Sequence, residues 1–83
     1  MTLNEAIKNM KKIYPDFKLV SVVDYDNYFV FSIEPQGYDH EINGEWIGGL
    51  IAIDKLFKVP IHFHPLMHDP KAFAEAAKNV TYL

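Results

Sequence analysis

Apolar and polar residues alternate along this chain in two rhythms, and each change of rhythm marks an element boundary. Leu3, Ala6, Ile7, Met10, Ile13 and Tyr14 recur at helical spacing, with Lys8, Lys11 and Lys12 on the opposite side. Thr2 and Glu5 have the spacing of a capping box, and Pro15 disfavours helical backbone at Tyr14. The pattern predicts a helix over residues 3–14.

From Phe17 the period shortens to that of a strand. Phe17–Asp24 is rich in β-branched residues, with Phe17, Leu19 and Val23 expected on one face and Val20 and Val22 on the other. Asp24-Tyr25-Asp26-Asn27 supplies turn formers. In Tyr28–Glu34, Phe29, Phe31 and Ile33 define an inner face, so the two segments predict a hairpin. Residues 35–45 read as a loop longer than most hairpin connections, exposing Tyr38, His40 and Ile42 to a partner. Trp46–Asp54 is almost continuously apolar and is expected to be the central strand, with a bulge or close approach at Gly48-Gly49.

After a four-residue connection, Lys55–Lys58, residues 59–64 return as a strand. Pro60 has no N–H for a central ladder, which assigns that strand to an edge or a bulge. Asp69-Pro70 is a helix start, and Phe73, Ala76, Ala77 and Val80 form the inward stripe of a helix over residues 70–79. The expected fold is α+β in the order α-β-β-β-β-α. It is a four-stranded antiparallel meander, with the N-terminal and C-terminal helices packed on one face.

Eighty-three residues make one domain, 1–83, with a thin core, although 49% apolar and 14% aromatic content suits a folded chain. The absence of cysteine excludes a disulfide framework and a thiolate metal site. The opening Met1-Thr2-Leu3-Asn4-Glu5 has no cationic patch leading into an apolar run, and no stretch is long enough to span a bilayer. The expectation is a cytoplasmic protein without membrane contact.

Charge changes the picture more. The net charge is −3, but residues 19–54 hold seven acids and no base, whereas each flank holds four Lys and two acids. With an acidic centre and no Arg anywhere, direct nucleic-acid binding is disfavoured and a basic protein partner is favoured. Solvated loops kept apart by like charge explain the same block.

The densest cluster of candidate chemistry is His62-Phe63-His64-Pro65-Leu66-Met67-His68-Asp69. On a strand, His62 and His64 share a face at about 6.5 to 7 Å, a separation at which both can hold one zinc ion, with His68 or Asp69 as a third ligand. The plainer account is that they form the solvent side of an edge strand. Asp24, Asp26 and Asn27 fail as a calcium loop for want of the sixth-position Gly, and Gly48-Gly49 lacks the Lys of a phosphate loop. Ser21 and Ser32 lie mid-strand, and Glu41 and Glu45 are loop acids, so nothing assembles a nucleophile or an acid–base pair. The expectation is a protein that is not an enzyme and has no cofactor other than zinc at those histidines. Tyr25, Tyr28, Tyr38, His40 and Trp46, with Phe57, are the candidate partner-binding residues, and a lightly protected edge strand suits a homodimer. The same aromatics can instead cover the open ends of a small sheet.

The opening Met1–Lys8, the Val22–Phe31 hairpin and the run Gly49-Leu50-Ile51-Ala52-Ile53-Asp54-Lys55 resemble small proteins of Gram-positive bacteriophages and prophages, often encoded among head and tail genes. The layout is also similar to a family of small immunity proteins of polymorphic toxin systems, in which a helix precedes an antiparallel sheet with an Ile-Asp-Lys hairpin. The first resemblance implies a virion-associated accessory or an inhibitor of a host factor, and the second a toxin-binding protein. Neither carries catalytic residues onto this chain. The Lys55-Leu56-Phe57-Lys58 turn departs from the usual pattern in having no Gly.

Overall fold

The structure is a computed structural model that describes every residue except Glu45, Ile47 and Gly48. Helix α1 spans Leu3–Ile13, and strands β1 (Phe17–Tyr25) and β2 (Tyr28–Pro35) form the first hairpin. A single helical turn, α2 (His40–Asn43), precedes β3 (Leu50–Asp54) and β4 (Pro60–Phe63). A 3-10 turn at Pro65–Met67, helix α3 (Pro70–Ala77) and the short β5 (Thr81–Tyr82) complete the chain. The fold is α+β, with one open antiparallel sheet of order β4-β3-β2-β1-β5.

Local signals explain most boundaries. Glu5 donates its N–H to the Thr2 hydroxyl at 3.2 Å, and the Glu5 carboxylate in turn accepts from that hydroxyl at 3.4 Å. Helix α1 stops at Ile13, ahead of Pro15, with Lys11 and Lys12 at the negative end of its dipole. The Asp69 side chain caps α3 by accepting from Ala72 N–H at 3.1 Å, and Pro70 occupies the first helical position. Between β1 and β2 only Asp26 and Asn27 connect the paired Tyr25 and Tyr28, and Asp26 takes φ 51°, the left-handed backbone a two-residue hairpin needs.

Four features of the sheet and of the helices packed on it differ from the sequence expectation. The first four strands do form a meander, but β5 adds a fifth by pairing with β1 at Ser21 and Val22, so the middle strand is β2 and not the Trp46–Asp54 segment. Second, the helices pack on opposite faces and not on one. Ala6 and Met10 of α1 bury against Leu19, Val22, Phe29, Phe31, Ile33, Ile51 and Ile53. Phe73, Ala76 and Ala77 of α3 cover Val23, Tyr25, Val30, Ala52 and Phe63, the residues that alternate with that first set. The near-continuous apolar strands follow from this, since both faces of the sheet are covered.

Third, the ladder slips between Leu19 and Ser21, leaving Val20 as an extra residue. Val22 therefore joins Leu19 on the α1 face while Val23 turns to the α3 face, the reverse of strict alternation from Phe17. Fourth, β3 begins at Leu50, and the expected strand residue Ile47 and the Gly48 half of the glycine pair lie outside the described residues; Gly49 has φ 81°. The deepest side chains are Phe31, Phe63, Met10, Ile53 and Val30, each contributing roughly 1.5–3 kcal/mol by leaving water.

Candidate protein-contact surface

The β3–β4 turn is built by Asp54. Its Oδ1 accepts from Leu56 N–H at 2.8 Å and from Phe57 N–H at 2.7 Å, and its carbonyl accepts from Lys58 N–H at 2.8 Å. Lys58 stands at φ 60°, where a Gly would ordinarily sit. The turn therefore points Leu56 and Phe57 away from the protein, 76% and 74% exposed. Val59 just before the strand and Ile61 on it, then Leu66 and Met67 in the 3-10 turn beyond it, are also exposed. Six of the large apolar side chains exposed among the described residues thus lie on one edge strand and the turns at its two ends.

Strand β4 is an edge, one of the two placements, edge or bulge, that Pro60 allows. Asp54 N–H donates to Val59 C=O at 3.3 Å, so the alternating ladder turns the backbone groups of Val59, Ile61 and Phe63 toward β3 and those of Pro60 and His62 outward. The missing donor of Pro60 faces the open side, at no cost to the sheet.

The expected partner-binding residues separate into two sets. Tyr25 is corrected to a core position, because it lies under α3 with its ring centroid 5.7 Å from Phe63 and 5.5 Å from Phe73. Tyr28 is half-buried beside Phe63 and His68, at centroid distances of 6.2 and 6.0 Å. Tyr38, His40 and Trp46 do come together at the far end of β2. The Tyr38 ring stands edge-on to His40 at 4.9 Å and to Trp46 at 5.5 Å, and its hydroxyl donates to the Asn43 carbonyl at 3.2 Å. His40 Nε2 lies 3.0 Å from Glu34 Oε2, which ties the short α2 back to the strand. Asp39 caps α2 through Glu41 and Ile42 N–H, a local signal that residues 35–45 were not all loop.

The three histidines suggested for zinc are not gathered. His62 pairs with Ile51 and so shares the α1 face, whereas His68 stacks on Phe63, centroids 4.5 Å apart, on the α3 face. His64 is exposed and extended, at φ −120° and ψ 107°. Among the described residues no group of three or more His, Asp or Glu side chains converges enough to hold a metal ion.

A groove of about 600 Å³, which the sequence did not signal, runs between the end of α1 and β1. Ile7, Tyr14, Phe17 and Leu19 line it, together with Lys11 and Lys18. No described helix is long and apolar enough to cross a membrane. Compared with known proteins, the chain matches no family model, no curated protein and no solved structure. Its class is set by its own architecture: a small α+β protein whose antiparallel sheet is roofed on both faces and open along β4.

Proposed function

We propose that this protein works by protein contact and not by catalysis, as a phage- or prophage-type accessory or host-factor inhibitor in the bacterial cytoplasm. One observation carries the reading: Leu56, Phe57, Val59, Ile61, Leu66 and Met67 are 40–87% exposed and border a single sheet edge. Apolar area at such density is characteristic of an interaction site, and an edge strand adds backbone groups that an incoming strand can use. Among the described residues no Asp, Glu, Lys or His side chain is buried. A second copy of the chain is among the partners such an edge suits.

The Tyr38, His40 and Trp46 cluster favours a second reading, an immunity-like binder. These rings stand beside Glu34, Asp39 and Glu41, a surface suited to a basic partner. Affinity capture from the bacterial host with quantitative mass spectrometry tests both. On the first reading a protein held by the wild type is lost with a Leu56→Ser/Phe57→Ser variant and kept with Tyr38→Ala/Trp46→Ala. The second reading predicts the reverse. A capture pattern indifferent to both variants would remove both surfaces from consideration.

A further inference from the structure

We propose that the occupant of the β4 edge is a second copy of this chain, paired antiparallel about a two-fold axis through His62. The proposal rests on the protein-contact reading and names its partner. The backbone groups that face outward belong to Pro60 and His62, and the extended His64 continues their series. Pro60 offers only a carbonyl. His62 offers a donor and an acceptor. His64 offers only its N–H, because its carbonyl already accepts from Met67 N–H at 2.9 Å.

An arbitrary strand laid on this edge leaves two groups unsatisfied. Its carbonyl opposite Pro60 finds no donor, and its N–H opposite His64 finds an acceptor already engaged. A second copy on a His62-centred axis removes both faults. His62 exchanges N–H and C=O bonds with the partner's His62, and His64 N–H donates to the carbonyl of the partner's Pro60. The residue opposite each Pro60 is then the partner's His64, whose carbonyl needs no donor, and the residue opposite each His64 is the partner's Pro60, which has no N–H to place. The edge is complementary to itself in this register.

Side chains agree with that register. Residues of like parity face each other across such an axis, so Ile61, 40% exposed, lies opposite the partner's buried Phe63 on the α3 face. Antiparallel pairing also sets the Leu66–Met67 end of one copy against the Val59 end of the other, covering the most exposed apolar groups of this edge. The isologous contact would merge two five-stranded sheets into one of ten strands.

The test uses purified protein. Light scattering across a concentration series is expected to give twice the 9.6 kDa chain mass. His62→Pro removes an outward donor that the fold itself does not use, so it is expected to give a monomer with unchanged circular dichroism. Should that variant fail to fold, Ile61→Lys keeps every backbone bond and is also expected to be monomeric. Because the chain has no cysteine, His62→Cys is expected to cross-link to itself under mild oxidation, the paired Cα atoms standing about 5.5 Å apart, while a Lys78→Cys control stays uncross-linked. A wild type monomeric at every concentration, or a dimer indifferent to Ile61→Lys and without the His62→Cys cross-link, overturns the proposal. If the chain is monomeric and the capture experiment still depends on Leu56 and Phe57, the second copy fails and the contact reading survives; a cross-linked dimer with no such dependence fails the capture reading alone.

Discussion

Lys55 is tied to Asp24 across the sheet, its ammonium on the Asp24 carboxylate while it also donates to the Asp26 carbonyl at 2.9 Å. The same ammonium sits 4.7 Å from the centre of the Phe29 ring. One side chain therefore fastens the start of the β3–β4 turn to the β1–β2 turn. Its role follows from position: Lys55 N–H donates to Asn27 C=O at 2.8 Å, so backbone and side chain hold the same neighbour.

Replacing Lys55 with Met is expected to cost about 1 kcal/mol. The ion pair is partly solvated and contributes little alone, but the carbonyl bond and the ring contact are lost with it. Urea unfolding would read the loss as a lower midpoint at constant slope, and a thermal scan as a fall of about 4–8 °C for a domain of this size.

Lys58 at φ 60° holds a conformation that costs a non-glycine residue roughly 1 kcal/mol. Lys58→Gly is accordingly expected to be neutral or to stabilise by up to about 1 kcal/mol, since relief of the strained backbone is set against a more flexible unfolded chain. Asp54→Ala is expected to destabilise by about 1–2 kcal/mol, because it strips the acceptor from Leu56 and Phe57 N–H. Paired denaturation curves of the two variants check opposite effects within one turn.

Tyr25 and Trp46 have opposite environments although both looked alike as surface aromatics. Tyr25→Ala is expected to cost about 3–5 kcal/mol, because it empties a site between Phe63 and Phe73. Trp46→Ala, at 41% exposure and with Tyr38 as its ring partner, is expected to cost about 1 kcal/mol or less. Equal losses in chemical denaturation would contradict this division of core from surface.

Zinc titration by calorimetry is expected to give small, weak heats. His62 and His68 lie on opposite faces, and His68 is stacked against Phe63, so three imidazoles of one chain do not meet. Tight binding abolished by His62→Ala together with His64→Ala would show that ligands are recruited from elsewhere.

What was legible in the chain depended on how local the determining interaction is. The cap at Asp69-Pro70, a hairpin turn within Asp24–Asn27, the four-residue turn after Asp54 and the edge, one of the two placements open to Pro60, each follow from a few adjacent residues, and all are found, the turn itself shortened to Asp26-Asn27. The extra residue at Val20 leaves no mark in a composition of β-branched residues, so the faces of Val22 and Val23 were exchanged. Two residues of β5 are too few to show a period, and without them β2 could not be recognised as the middle strand. Which face each helix takes is decided by long-range packing: Ala76 and Ala77 announce close approach but not to which side. Of the aromatic residues the sequence offers, Tyr38, His40 and Trp46 converge and Phe57 is exposed, while Tyr25 is buried; the outward turn of Leu56 beside Phe57 depends on how the Asp54 carboxylate folds the chain.

The border opposite β4 is guarded thinly. The two residues of β5 pair with only Ser21 and Val22 of the nine in β1, and Leu83 N–H adds one bond to Val20 C=O. Fraying of so small a shield lays bare a long ribbon of amides on a strand that also carries the kink at Val20. Such a ribbon is a template on which chains stack into fibrils, so that border is expected to seed aggregation under heat or crowding.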